Sequence, residues 1–192
     1  MLARIVEALA RTMAVLGGLV LSVLVMMICA SILGRFLNGV LNDPPFEGTA
    51  FAAWLLGLGI GPITGDFELV EAGMAFAIFA FLPIAQLTGA HASVDIVTAG
   101  LGERVNRVLA MLWAILFAAV LVVIAWQLYQ GTLSKARYGE TTYLIQFPVW
   151  WAYAAALVGA AIAALVGCYV AAVRVAEFAT GMAILPDEGP EH

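Results

Sequence analysis

His91 and Asp95 stand four residues apart, so on a helix the two side chains share a face. An imidazole oriented by a carboxylate is the raw material of general base chemistry. That chemistry also needs a nucleophile, and no serine or cysteine is spaced to serve as one. Both residues close an apolar run, where they suit tying a loop to a helix or to a partner subunit. The two histidines, His91 and His192, are too few for a bis-histidine haem or a protein-only zinc site. Cys29 and Cys168 are isolated within apolar runs and form no CxxC pair, so small buried thiols used for packing are expected. No phosphate-binding loop, dinucleotide fingerprint or basic nucleic-acid patch is present. Catalytic, cofactor and metal sites are therefore all expected to be absent, and the chain does not read as an enzyme.

The elements that carry these residues follow from composition. Of the 192 residues, 64% are hydrophobic and 11% are charged. Uncharged runs cover residues 12–34, 72–90, 108–134 and 141–173. A helix needs about 20 apolar residues to cross the hydrocarbon core, and a backbone amide left unpaired there is costly. The sequence thus predicts an all-α integral membrane protein with four spans, at about 12–34, 70–90, 108–131 and 150–173. Residues 1–11 form an amphipathic lead-in, either a separate interfacial helix or the wet end of the first span. The first apolar run is longer than the core of a signal peptide, which favours a retained anchor. Residues 38–71 hold Asp43, Glu47, Asp66, Glu68 and Glu71 and no basic residue. Arg4, Arg11, Arg104 and Arg107 lie on the other side of the predicted spans, which places both termini in the cytoplasm and the acidic segment outside. Lys135 and Arg137 oppose this weakly.

Within the acidic segment, Asn42-Asp43-Pro44-Pro45 breaks the first helix. Residues 48–64 are uncharged but glycine-rich, and predict a short interfacial or re-entrant helix with Trp54 as an anchor. A fifth span is the competing reading. Glu68 and Glu71 open the second span, where helix capping alone accounts for a carboxylate. Pro83 should kink that span. Trp113 is expected near one end of the third span, and Trp126 and Tyr129 near the other. Pro148, Trp150 and Trp151 open the fourth as an aromatic belt, and Gly159, Ala163 and Gly167 make a small-residue stripe for close helix contact. Residues 176–192 are expected to form a flexible cytoplasmic tail. None of the four spans carries an ionisable residue at its middle, which favours an accessory subunit over a self-contained carrier.

Four features in order resemble the DctQ-like small membrane subunit of tripartite ATP-independent periplasmic (TRAP) transporters. Gly34-Arg35-Phe36 closes the first span and Glu68-Leu69 opens the second. His91, Val94 and Asp95 then follow in a His-x-x-Val-Asp arrangement, and Gly139-Glu140-Thr141-Thr142 leads to Pro148 and Trp150. The family often has a tryptophan before the glutamate that opens the second span, where this chain reads Gly65-Asp66-Phe67.

The resemblance implies a bacterial inner-membrane scaffold subunit with no cofactor and no substrate site of its own. A large permease subunit would carry a small organic acid on a sodium gradient, and a periplasmic binding protein would deliver it. Arg35 and Glu68 are then candidates for a junction between two spans, His91 and Asp95 for one at the opposite end, and Glu140 and Trp150 for partner contact. Membrane lipids are the remaining partner, and nucleic acid is not one. The alternative is an anchor subunit of another membrane complex or a small homo-oligomeric membrane protein.

Overall fold

A computed structural model describes residues 2–89 and 103–180. It contains five described helices: α1 (Leu2–Asn42), α2 (Ala50–Gly57), α3 (Asp66–Thr88), α4 (Glu103–Tyr138) and α5 (Val149–Thr180). All but α2 are long and apolar enough to cross a membrane. Among the described residues no strand forms beyond one isolated bridge, Thr141 to Pro148. At 1.5 Å per residue, α3 is about 34 Å long, close to a hydrocarbon slab, while α2 reaches only about 12 Å. The segment 48–64 thus holds an eight-residue helix and no fifth span. The lead-in is continuous with the first span, because α1 starts at Leu2. Pro83 lies buried inside α3, which continues through it to Thr88.

The four long helices form an open row in the order α1, α3, α5, α4, with a slighter contact between α1 and α5. Burying apolar side chains against protein rather than lipid gains little, so close backbone approach at small residues has to hold such helices together. The sequence supplies it on α5, where Ala156, Gly159, Ala160, Ala163, Ala164 and Gly167 are all buried. A Cβ built on Gly159 would lie 2.9 Å from the Phe79 Cβ of α3, and one on Gly167 would lie 3.1 Å from Leu121 of α4. The same device joins α1 to α3, where Gly73 faces Leu24 and Gly17 faces Ala80. Towards the end where α1 begins, Val6, Val166 and Val170 form a small core with Leu87 and Ala114 against it.

These contacts fix the relative heights of the helices. Gly167 meets Ala118, so eight residues further along each antiparallel helix Trp126 stands level with Gly159. Gly159 is level with Phe79 and Ala80, and Ala80 with Gly17. Gly17 is about 9 Å from Arg11 and about 27 Å from Arg35 along α1. Trp126 and Tyr129 are exposed on the flank of the row, level with Gly159 and Ala156 of α5 and within three turns of Lys135. One expectation fails. Cys29 and Cys168 are exposed rather than packed inside, because both fall on helix faces turned away from the row's contacts. Of the expected tail, residues 176–180 belong to α5, where Glu177 is 6% exposed and held by Arg174 at 3.0 Å; residues 181–192 lie outside the described residues.

Gly159→Leu should lower the thermal midpoint in detergent by the equivalent of about 1–3 kcal/mol, since Phe79 and its backbone cannot retreat. Gly18→Ala, where nothing lies within 4 Å of the added methyl, should leave the midpoint unchanged or raise it.

Candidate functional site

The polar chemistry of the described residues concentrates at the loop end of the row, where α1 stops and α3 and α5 start. After α2 the chain turns at Gly59 and runs back along α1 as an irregular strap. Its approach is close: a Cβ on Gly34 would fall 2.1 Å from the Gly61 carbonyl oxygen, so only glycine fits there. A strap beside an apolar helix has to satisfy its backbone locally. Asn38 donates its amide to the Ile60 carbonyl at 3.1 Å, the Ile63 N–H donates to Ser31 Oγ at 3.2 Å, and Pro62 has no N–H to satisfy.

Ser31, fully buried, donates its own hydroxyl in a hydrogen bond to Asp66 Oδ2. Arg35 stands 3.7 Å from the same carboxylate oxygen, and the Phe67 N–H caps the other oxygen at 2.8 Å. Arg35 and Glu68, expected to meet each other, thus have separate partners. The ion pair of Arg35 is with Asp66, two residues earlier, because the strap delivers Asp66 to the α1 side of the first turn of α3.

Glu68 points the other way. Its carboxylate accepts from the backbone N–H of Leu144 at 2.6 Å and of Ile145 at 3.0 Å, in the loop between α4 and α5. Charged acceptors make the stronger hydrogen bonds, and two of them on one carboxylate fix both position and orientation. Capping therefore does not account for Glu68. Beneath this clamp Ile145 packs against Gly65, where a Cβ would lie 2.3 Å from Ile145 Cγ2 and where φ is +77°. Glycine is thus required twice over at position 65.

The loop itself is tightly closed. Gly139 ends α4 in the left-handed region and its N–H returns to the Lys135 carbonyl at 3.1 Å. Thr142 N–H donates to the Phe147 carbonyl at 2.9 Å, and the Phe147 N–H donates to Thr142 Oγ1 at 3.0 Å. Glu140 joins the two helix ends: its side chain pairs with Lys135 of α4, and its carbonyl accepts from the Val149 N–H of α5 at 3.0 Å. Trp150 stacks edge-on against Trp151, whose ring also meets Phe147. The result is a rigid tip from which Tyr143, 93% exposed, and Leu144 project.

Asp66, the 144–145 amides and the strap were missed from sequence. The one signal available was the density of small and polar residues between Asn38 and Asp66. His91 and Asp95 lie outside the described residues. The concavities nearest to pockets are open and shallow: a groove of about 510 Å³ along the start of α1 beside Arg4 and Leu9, and a notch of about 170 Å³ beside Gln130 and Arg137. Among the described residues no three metal-binding side chains converge.

Apolar helices in an open row, a clamped loop and wide exposed flanks define a multi-pass membrane protein built for association. Over residues 24–178 the sequence matches the family of DctQ components of tripartite ATP-independent periplasmic transporters, and the chain belongs to that family. It is a small component of a bacterial transporter, a class of protein that is not an enzyme. Comparison with curated proteins and with solved structures gave no match.

Glu68→Ala should speed hydrogen exchange at the Leu144 and Ile145 amides and expose the Tyr143 bond to chymotrypsin, while the α1–α3 contacts stay protected. Unchanged exchange at both amides would mean that the carboxylate does not hold the loop.

Proposed function

We propose that this chain is the scaffold component of a sodium-coupled, binding-protein-dependent carrier of small organic acids. It packs against the large permease component and holds it in the membrane while that component moves the substrate. Its loop end faces the periplasm and offers the Tyr143–Leu144 tip to the binding protein. Both termini then lie in the cytoplasm of a bacterial inner-membrane protein, in keeping with Arg4 and Arg11 at one end of α1 and the acidic 43–71 segment at the other.

The observation that carries this reading is the family match joined to the surface of the row. Large apolar side chains are exposed along both edge helices, among them Val15, Leu19 and Val23 on α1 and Leu116, Val120 and Val123 on α4. A chain with this much apolar surface, and with open shallow concavities among its described residues, acts through what it touches.

Extracted in a mild detergent, the tagged chain should carry a much larger membrane protein with it. The isolated chain should give no heat of binding with a panel of small organic acids. Binding of such an acid by the chain alone would sink the reading. Tyr143→Asp with Leu144→Asp should depress uptake in whole cells by about tenfold or more while leaving retention of the large component unchanged, as expected for truncating an exposed aromatic anchor.

A further inference from the structure

We propose that the outward face of α4 is the seam on which the large permease component docks. Its occupant is a transmembrane helix with hydrogen-bonding side chains facing Gln127 and Gln130. This rests on the scaffold reading above and names the surface that reading requires.

Leu116, Val120, Val123, Gln127, Gln130 and Ser134 follow one another at steps of four and three, and all six are exposed. A repeat averaging 3.5 residues keeps one stripe of a helix facing one straight partner. At 100° per residue the stripe lies opposite Ala118 and Leu121, which are buried against α5. No other helix of the row lies on it, because α4 is an end member.

The apolar half of the stripe would suit lipid as well as protein. The polar half does not. Along α4, Gln127 lies about 12 Å and Gln130 about 8 Å before Lys135, level with Val158 and Ala155 of α5 and within the uncharged run 108–134. Each amide brings a carbonyl and two N–H donors, and neither side chain has a hydrogen bond among the described residues. Acyl chains offer no partner, so only protein facing this stripe can supply one. Trp126 and Tyr129, exposed beside the two glutamines, add an N–H and an O–H at the same depth.

The other edge of the row makes the contrast. On α1, Thr12 donates its hydroxyl to the Ala8 carbonyl at 2.8 Å and Ser22 donates to Gly18 at 2.8 Å. Those hydroxyls are satisfied within their own helix, and the α1 face is suited to lipid. A second copy of this chain fits the α4 seam poorly. Two copies share one orientation in the membrane, so a two-fold pair would set Arg137, next on the stripe after Ser134, against itself.

The test uses the assembled transporter. Gln127→Leu with Gln130→Leu, and separately Val123→Trp, are compared with Val15→Trp/Val23→Trp on α1, after confirming equal membrane insertion. Both α4 variants should reduce the large component retained per tagged chain by about tenfold, the α1 variant by less than twofold. A photo-crosslinker at Val123 should capture the large component. Retention unchanged in the α4 variants, equal loss from both faces, or a crosslink to a second copy or to lipid alone overturns the assignment of this face. If the unsubstituted chain retains no larger membrane protein at all, the scaffold reading itself fails, and this inference with it.

Discussion

Everything in this molecule is arranged around the fact that hydrocarbon gives neither hydrogen bonds nor a drive to bury apolar side chains. The first half of that constraint makes the spans helical and obliges the strap after α2 to find Asn38 and Ser31 for its backbone. The second half explains why α5 is written in alanine and glycine: helix contact has to come from backbone proximity. Gly159 and Gly167 face different neighbours, α3 and α4, so one small-residue stripe holds two interfaces. α5 therefore joins the row together, and the larger side chains are pushed outward to the flanks of α1 and α4.

Much of the architecture was legible in the sequence because the bilayer imposes such blunt requirements. Arg11 and Arg35 bracket an uncharged run of the length that a slab demands, and the small residues at 159, 163 and 167 announce a contact face. The partners of the loop-end polar residues were not legible. Asp66 and Glu68 are two residues apart and carry the same charge, so composition cannot say which of them Arg35 meets. The answer depends on the path of the strap, and that path is set by a two-glycine contact, Gly34 against Gly61, between residues 27 positions apart.

The register of α4 was not legible for a related reason. The helix is 36 residues long, and only its contacts with α5 decide which part stands beside which neighbour. Ala118 against Gly167 sets Trp126 level with Gly159 and Lys135 level with Trp150. The sequence had shown the polar residues. It had not shown what they stand beside.

One turn of α3 has a mechanical consequence. Asp66 leaves it towards α1, and Glu68 leaves it towards the tip between α4 and α5. A push or pull on that tip is thus carried by more than the hairpin to which the tip is covalently attached. Part of it passes through the Glu68 carboxylate into an inner member of the row, and from there through Asp66 to the far edge. The molecule is cross-braced at one end, so load applied above the bilayer is shared by all four spans.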